Sequence, residues 1–429
     1  MAANSNLKDL AQRALEAMRR QGFEHVQVGV ALARQDELNV NHNEPSLLRS
    51  TETQKLSLTG LVDARKASTE LTNLDDDSLR STVARLFDDA RSAPQDDANA
   101  VSSGQRADIV QGPQEPDLAL LADKVRELLD FRARETPKMM LDEAFAAHTL
   151  VQSHTLTSGG SELATRVGSY AMTVFGTARE GQRSSSFNYT GGAANGLHDR
   201  HATEYFAIGE MMRDTERQID TAKTPGNFVG DVVLTPGAVA DLLAWLQGQI
   251  GDVQLIAGSS LYRDRVGTAI ASPLLTLKSR FDAPGVAAVS VDAFATPPVE
   301  VLRAGVLNTL TPSLYGSRKT GLPHVPTAAG GWEIAAGDTP RGQVVSGVKR
   351  GALVGRLSMG NPAANGDFSG VIKNSFAVAD GVVGQALAET MVSGNMARML
   401  LDVAAVSRER IDTGALCLPW LRIANLNFS

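Results

Sequence analysis

Residues 235–250 read TPGAVADLLAWLQGQI, a helix whose beginning is spelled out in its first two letters. Thr235 is placed to cap it and Pro236 to open it, because the first helical position has no use for an amide hydrogen. Val239, Leu242, Leu243, Leu246 and Ile250 then share one apolar face. The sequence around this helix has a different texture. From residue 227 onward short Val, Leu and Ala runs alternate with frequent Gly and Pro, as strands and turns do. Only one other clear helix is expected there, over residues 395–408, with Met396, Met399, Leu400, Val403 and Val406 inward. Residues 227–429 therefore read as a β-rich C-terminal domain.

Toward the N-terminus the pattern is α+β. Leu7, Leu10, Ala14 and Met18 form one helical face, with Ser5 as the expected cap and Gly22 as the break. Val26, Val28, Val30 and Leu32 alternate as a strand with one buried face. A second strand is expected near residues 55–61 and a helix over residues 76–91, where Asp75, Asp76 and Asp77 favour the positive helix end. Residues 92–105, SAPQDDANAVSSGQ, read as a polar linker, so the first part spans residues 1–105. In the middle part, residues 106–226, Asp117 caps a helix with Leu118, Leu121, Val125 and Leu128 on one stripe. Strands follow between residues 147 and 190, with Tyr170, Met172 and Val174 alternating in one and Phe187 and Tyr189 in another. A helix over residues 202–222, carrying Tyr205, Ile208, Met212 and Ile219 on one face, is expected to link this part to the next.

The chain has 429 residues, enough for two or three domains. Its 41 Lys and Arg stand against 48 Asp and Glu, a net charge of −7, and no basic cluster offers to neutralise phosphates. The single cysteine, Cys417, cannot close an internal disulfide, which fits a reducing compartment. Asp9 and Glu16 interrupt the N-terminal apolar stretch, so a signal peptide is not expected, and no run reaches membrane-spanning length. A cytoplasmic location is expected.

Chemistry-bearing motifs are weak. His198-Asp-Arg-His201 places two imidazoles at i and i+3, yet no third ligand is spelled nearby, and a surface or capping role is expected. His25, His42, His148, His154 and His324 are isolated and read as structural. GDFSG, residues 366–370, has one residue too many before Ser369 for a nucleophile elbow. Cys417, in ALCLPWL, reads as a small core residue with a blunted thiol. No dinucleotide or P-loop glycine pattern is present.

In combination, however, several segments resemble one family, the TldD/TldE proteins (PmbA, modulator of DNA gyrase). They are SLLRSTETQKLSLTGLVDARKAS (residues 46–68) with DDSLRSTVARLFDDARSAPQD (76–96), and GDVVLTPGAVADLLAWL (230–246) with GSSLYRDRVGTAIASPLLTL (258–277). After them come FDAPGV (281–286) with EVLRAGVLNTLTPSLYGSRKTGLP (300–323), and NPAANGDFSGVIKNSFAVADGVVGQALAETMVSGNMARMLLDVAAV (361–406), closed by PWLRIANLNF (419–428). The resemblance covers nearly the whole chain and is strongest after Gly230. Residues 324–347 follow the family's glycine-rich loop only loosely.

The resemblance implies a heterodimeric zinc peptidase in which the TldD-type subunit carries His-Glu-x-x-x-His on the helix of residues 239–250, plus a later Cys ligand. Two His hold zinc and the Glu deprotonates its water. Here Ala244, Trp245 and Gln249 stand in those places, no His lies between His201 and His324, and no Glu between Glu216 and Glu300. Cys417 lies too close to the final strand to match the Cys ligand. The resemblance is thus to the TldE-type subunit: no cofactor and no catalytic residue in this chain, zinc in a TldD-type partner, and unfolded or extended peptides as substrates in a chamber between the two. Asn361, Gly366, Asp367, Phe368 and Ser369 are the expected chamber-lining residues, with a tight turn as their alternative. The rival readings are a self-sufficient or specialised enzyme acting on a peptide or peptide-derived natural-product precursor, a homodimeric peptide-binding module, and direct action on DNA gyrase.

Overall fold

The apolar face of residues 7–18 builds the first core. In the computed structural model, which describes residues 2–224 and 226–429, α1 (Ala2–Gln21) buries Leu7, Leu10, Ala14 and Met18 against the first of two large sheets. The helix begins at Ala2, so Ser5 lies inside it rather than ahead of it.

β1 (His25–Asn41) and β2 (Glu44–Val62) form a long antiparallel hairpin. Its turn puts His42 and Asn43 at φ 51° and 70°, the paired positive values of a tight two-residue turn. β2 thus starts well before the expected residue 55, and a further strand, β3 (Arg65–Leu71), follows a second such turn at Asp63 and Ala64. Residues 44–53 are exposed on both faces, so no alternation marks them as strand. α2 (Asp76–Ser92) starts in the acidic run, as expected, and the Asp75 carboxylate caps it by accepting from Ser78 N at 2.7 Å.

Residues 92–105 are a pinned strap rather than a free linker. Ser102 Oγ donates to Ser161 Oγ (2.8 Å), Thr157 Oγ1 to Ser102 O (2.7 Å), and Asn99 Nδ2 to Ala64 O (2.9 Å). Asp96 reaches across to the C-terminal domain, where Lys319 (2.8 Å) and Tyr315 (2.8 Å) hold its carboxyl down to about 2.

After the strap come β4 (Arg106–Gln111), α3 (Leu118–Glu135), β5 (Met139–Thr157), β6 (Glu162–Glu180), β7 (Arg183–Ser184) and β8 (Asn188–Ala194). Asp117 caps α3 through Leu120 N (3.0 Å). Leu121, Val125 and Leu128 are buried, but Leu118 stays exposed and Leu120 takes its place. The first sheet runs β3-β2-β1-β5-β6-β4, so it is continuous across the division expected at residue 105. Two helix layers share it: Leu156 of β5 belongs to the α1–α2 core, and Ala144 and Ala146 of the same face to the α3 core.

The linking helix is broken. Residues 202–207 form a 3₁₀ turn, Phe206 and Ala207 adopt left-handed φ of 54° and 58°, and only Ile208–Arg217 is α-helix (α4). Residues Thr221–Ala222 already pair with the second sheet. Tyr205, Ile208, Met212 and Ile219 are nevertheless all buried.

α5 (Pro236–Ile250) buries its five stripe residues in the largest core, as the spacing predicts. Thr235 does not cap it through its side chain; the hydroxyl donates to Gly355 O (3.1 Å) instead. The second sheet is organised on the final strand, Leu416–Phe428, which pairs with Phe228–Leu234, Trp332–Ile334, Met391–Asn395 and Val403–Asp412. The last of these corrects the second helix, which ends at Leu401 with Asn395 as its cap. Val403 and Val406 are buried as expected, but from a strand whose register shifts on both sides of residues 405–406. Spacings of three and four suit a helix and a bulged strand alike. Among the described residues no helix is long and apolar enough to cross a membrane.

Candidate functional site

The C-terminal half of α5 and the segment of residues 361–369 meet. Gln249, 2% exposed, donates from Nε2 to Ala364 O (3.0 Å) and accepts Leu261 N on Oε1 (2.9 Å), so its amide ties two loops to the helix. Trp245 is buried, edge-on to Tyr262 at 6.1 Å between ring centroids. A Cβ on Gly366 (φ 91°) would stand 3.1 Å from the Trp245 ring, so glycine there serves both the turn and the close approach. Burial pushes the Tyr262 phenol up to about 12, and its hydroxyl has no hydrogen-bond partner. Ala244 is exposed.

The five residues singled out in the sequence fall as follows. Asn361 lies in an exposed loop; Gly366 ends the turn of residues 363–366, its N–H donating to Ala363 O (2.8 Å). Asp367, Phe368 and Ser369 open the strand Asp367–Lys373, with Asp367 and Ser369 exposed and Phe368 in the core. Two residues that the sequence reading missed complete this corner. Asn395 Nδ2 (2.8 Å) and Asn365 Nδ2 (2.8 Å) donate to the Asp367 carboxylate and hold it below the usual aspartate range. Asn395 also caps the helix Met396–Leu401 through Arg398 N (3.0 Å). Only the helical cap was legible, as Asn before an apolar run.

The other motifs have settled roles. His201 Nδ1 accepts from Thr203 N (3.3 Å) and caps the turn of residues 202–207. His198 lines a surface cavity of about 430 Å³ with Asp199, Arg200 and Asp412. Cys417 is 5% exposed, and burial pushes its thiol up. Among the described residues no group of three or more His, Cys, Asp or Glu is placed to hold a metal ion.

A second concavity lies between the two sheets. Glu210 of α4 is paired with Arg341, whose guanidinium lies over the Trp420 ring at 4.2 Å, and Gln218 Nε2 donates to Ser375 O (3.0 Å). In its wall, burial and then the neighbouring Glu210 raise the Asp214 carboxyl, against the pull of Arg217 at 3.1 Å. A carboxyl that holds its proton more tightly in the fold than in the unfolded chain stabilises the fold only below the ordinary aspartate range, and that advantage is lost as pH rises through the raised value. Asp214→Asn is therefore expected to raise the unfolding midpoint at pH 7 and leave it unchanged near pH 3. Equal shifts at both pH values would refute the burial cost.

Residues 227–429 match the family model described as PmbA/TldA metallopeptidase C-terminal domain. The whole chain is similar in fold to a protein described as a modulator of DNA gyrase from Bacteroides thetaiotaomicron, with TM-score 0.82, 20% identity and 98% of each chain covered. It is similar also to TldE from Thermococcus kodakarensis (TM-score 0.80, 16% identity, 98% of this chain and 100% of that one). A described gyrase modulator from Thermotoga maritima gives TM-score 0.77 at 15% identity over the same shares. No curated protein matches in sequence.

Proposed function

We propose that this chain, whose residues 227–429 match the PmbA/TldA metallopeptidase C-terminal domain, is the non-catalytic, TldE-like subunit of a heterodimeric zinc peptidase acting on unfolded or extended peptides. The observation that carries this is the state of α5. The zinc site that the resemblance implies for this helix would place His, Glu and His at positions 244, 245 and 249, two imidazoles to hold the metal and a carboxylate for its water. Those positions hold a solvent-facing methyl, an indole packed on Tyr262, and an amide already committed to two backbone groups. None is a zinc ligand, and Trp245 and Gln249 are engaged in packing. The donor set does not fit the metal.

What the chain offers a peptide is shape. β2 pairs with β3 only from Leu56 onward, so among the described residues the outer edge of residues 44–55 has no neighbouring strand. An extended peptide can add to such an edge through backbone hydrogen bonds, which gives low sequence specificity. The exposed Asn361, Asp367 and Ser369 supply polar chamber wall beside α5. A net charge of −7 gives no support to direct action on gyrase bound to DNA.

The test is native mass spectrometry of the chain isolated from its own cells, with zinc counted in the same sample. A complex with a second subunit of similar size and about one zinc per pair is the expected result. A metal-free homodimer with no companion would overturn the proposal in favour of a binding module or a metal-independent enzyme.

A further inference from the structure

The concavity between the sheets narrows to a cavity of about 130 Å³, walled by Tyr189, Thr190 and Asp214 on one side and Gly237, Asn374 and Trp420 on the other. Two of these residues carry buried polar atoms with no partner. Asn374, 8% exposed, donates from Nδ2 to Asn188 Oδ1 (2.9 Å) and Phe187 O (3.3 Å), while its Oδ1 accepts nothing. Trp420, 4% exposed, has an indole Nε1–H without an acceptor. Each such group costs the fold the hydration it gave up, and here one orphan acceptor and one orphan donor share a wall.

A third feature points into the same space. α5 is not capped by a side chain, because the Thr235 hydroxyl is turned to Gly355 O. Pro236 has no N–H, so Gly237, in the cavity wall, carries the first amide hydrogen that the helix itself leaves unused. The wall thus has one buried donor and one buried acceptor without partners, and beside them, on exposed Gly237, an amide hydrogen that the helix leaves free. A peptide unit brings a carbonyl for the donors and an N–H for the acceptor. A volume of 130 Å³ is the liquid share of about four waters at roughly 30 Å³ each, room for one such unit with a small side chain.

The rim beside it is aromatic. Tyr189 and Phe187 are 54% and 41% exposed with ring centroids 6.5 Å apart, and the Arg356 guanidinium lies 4.4 Å over Phe187. Exposed aromatic rings held by a cation offer a flat apolar shelf for the side chain next to the buried unit.

We propose that this interdomain cavity is a peptide-binding site of this chain, separate from the α5 corner. One small residue is buried between Trp420 and Asn374, and the following side chain rests on Phe187 and Tyr189. The choice of a peptide as ligand rests on the reading given under Proposed function; the site itself belongs to this chain alone.

The experiment titrates N-acetyl-glycyl-phenylalanine amide into the purified chain by calorimetry, for wild type, Trp420→Phe and Asn374→Gly. The glycine variant tolerates the left-handed backbone at 374 (φ 51°). Wild type is expected to bind at one site. Trp420→Phe should weaken binding about tenfold while the protein stays folded, because phenylalanine keeps a ring under Arg341 and removes the indole donor that the fold never satisfied. Asn374→Gly should weaken binding as well. Absence of saturable binding to wild type, or undiminished binding to a folded Trp420→Phe, overturns the cavity site even where native mass spectrometry finds the zinc-bearing pair. A metal-free homodimer that binds the probe and loses it with Trp420→Phe would overturn the subunit reading alone.

Discussion

Gly351→Ala is expected to lower stability by about 3 kcal/mol or more, at the upper end of what a single methyl does to a packed interior. The strand Arg350–Val354 runs parallel to Phe228–Leu234 with Gly351 opposite Asp231. A Cβ at 351 would stand 1.8 Å from Asp231 O and 2.8 Å from its carbonyl carbon. Both are backbone atoms, so no side-chain rotation relieves the contact, and the strands must part. They are also the strands that place the start of α5, since Thr235 N donates to Val354 O (3.0 Å) and its hydroxyl to Gly355 O. The damage should therefore reach the helix and the interdomain cavity together. Gly248→Ala is the matched control on α5 itself. That glycine is exposed, nothing lies within 4 Å of the place an added methyl would take, and alanine should add about 0.5–1 kcal/mol by restricting the unfolded chain and favouring the helix. Urea midpoints of the two variants should move in opposite directions. A Gly351→Ala protein within about 1 kcal/mol of wild type would contradict the parallel pairing.

The contrast between those two glycines shows where sequence reading succeeds and where it stops. Periodic apolar faces were legible in α1, α3 and α5, which lie close to where the spacing puts them with their stripes buried apart from Leu118. Local capping chemistry was legible at Asp117, whose side chain accepts from its own first turn, and the acidic run at residues 75–77 marked the start of α2. Three failures share one physical origin, since each depended on a distant neighbour. Residues 202–222 have a helical face, but Phe206 turns left-handed where its carbonyl accepts the Thr190 hydroxyl of β8 (2.7 Å). Residues 403–408 have one too, but the final strand offers them a ladder. The polar composition of residues 92–105 suggests a linker, yet their partners are Ser161, Ala64 and Lys319, far away in sequence. The corner beside α5 was legible in part. Gly366 and Asp367 were singled out, whereas the Asn365–Asp367–Asn395 arrangement needed the strand pairing of residues 367 and 395 to exist.

Gln249→Leu separates a structural from a catalytic use of that corner. The amide of Gln249 is a two-ended tether: it donates to Ala364 O in the turn ahead of Gly366 and accepts the N–H of Leu261 in the loop after α5. Leucine preserves bulk and burial but leaves Ala364 O and the N–H of Leu261, both on exposed residues, to find water in place of the Gln249 amide. At about 0.5–1.5 kcal/mol for each lost hydrogen bond, a loss of roughly 1–3 kcal/mol is expected. The loss should be local in its first consequence. Residues 361–366, released from α5, should be cut by protease under native conditions at a rate that wild type does not show. Gln249→His should behave in the same way and acquire no zinc, because Ala244 and Trp245 offer the metal nothing and the new imidazole has no second ligand beside it. On the proposed subunit reading, a zinc-bearing partner should still assemble with a folded fraction of either variant, with peptidase activity per assembled pair little changed. Were Gln249 instead a group that touches the peptide, the order of effects would be reversed: stability and proteolysis like wild type, and activity per assembled pair lost. Thermal unfolding, limited proteolysis and turnover normalised to intact complex, measured on the same three proteins, distinguish the two.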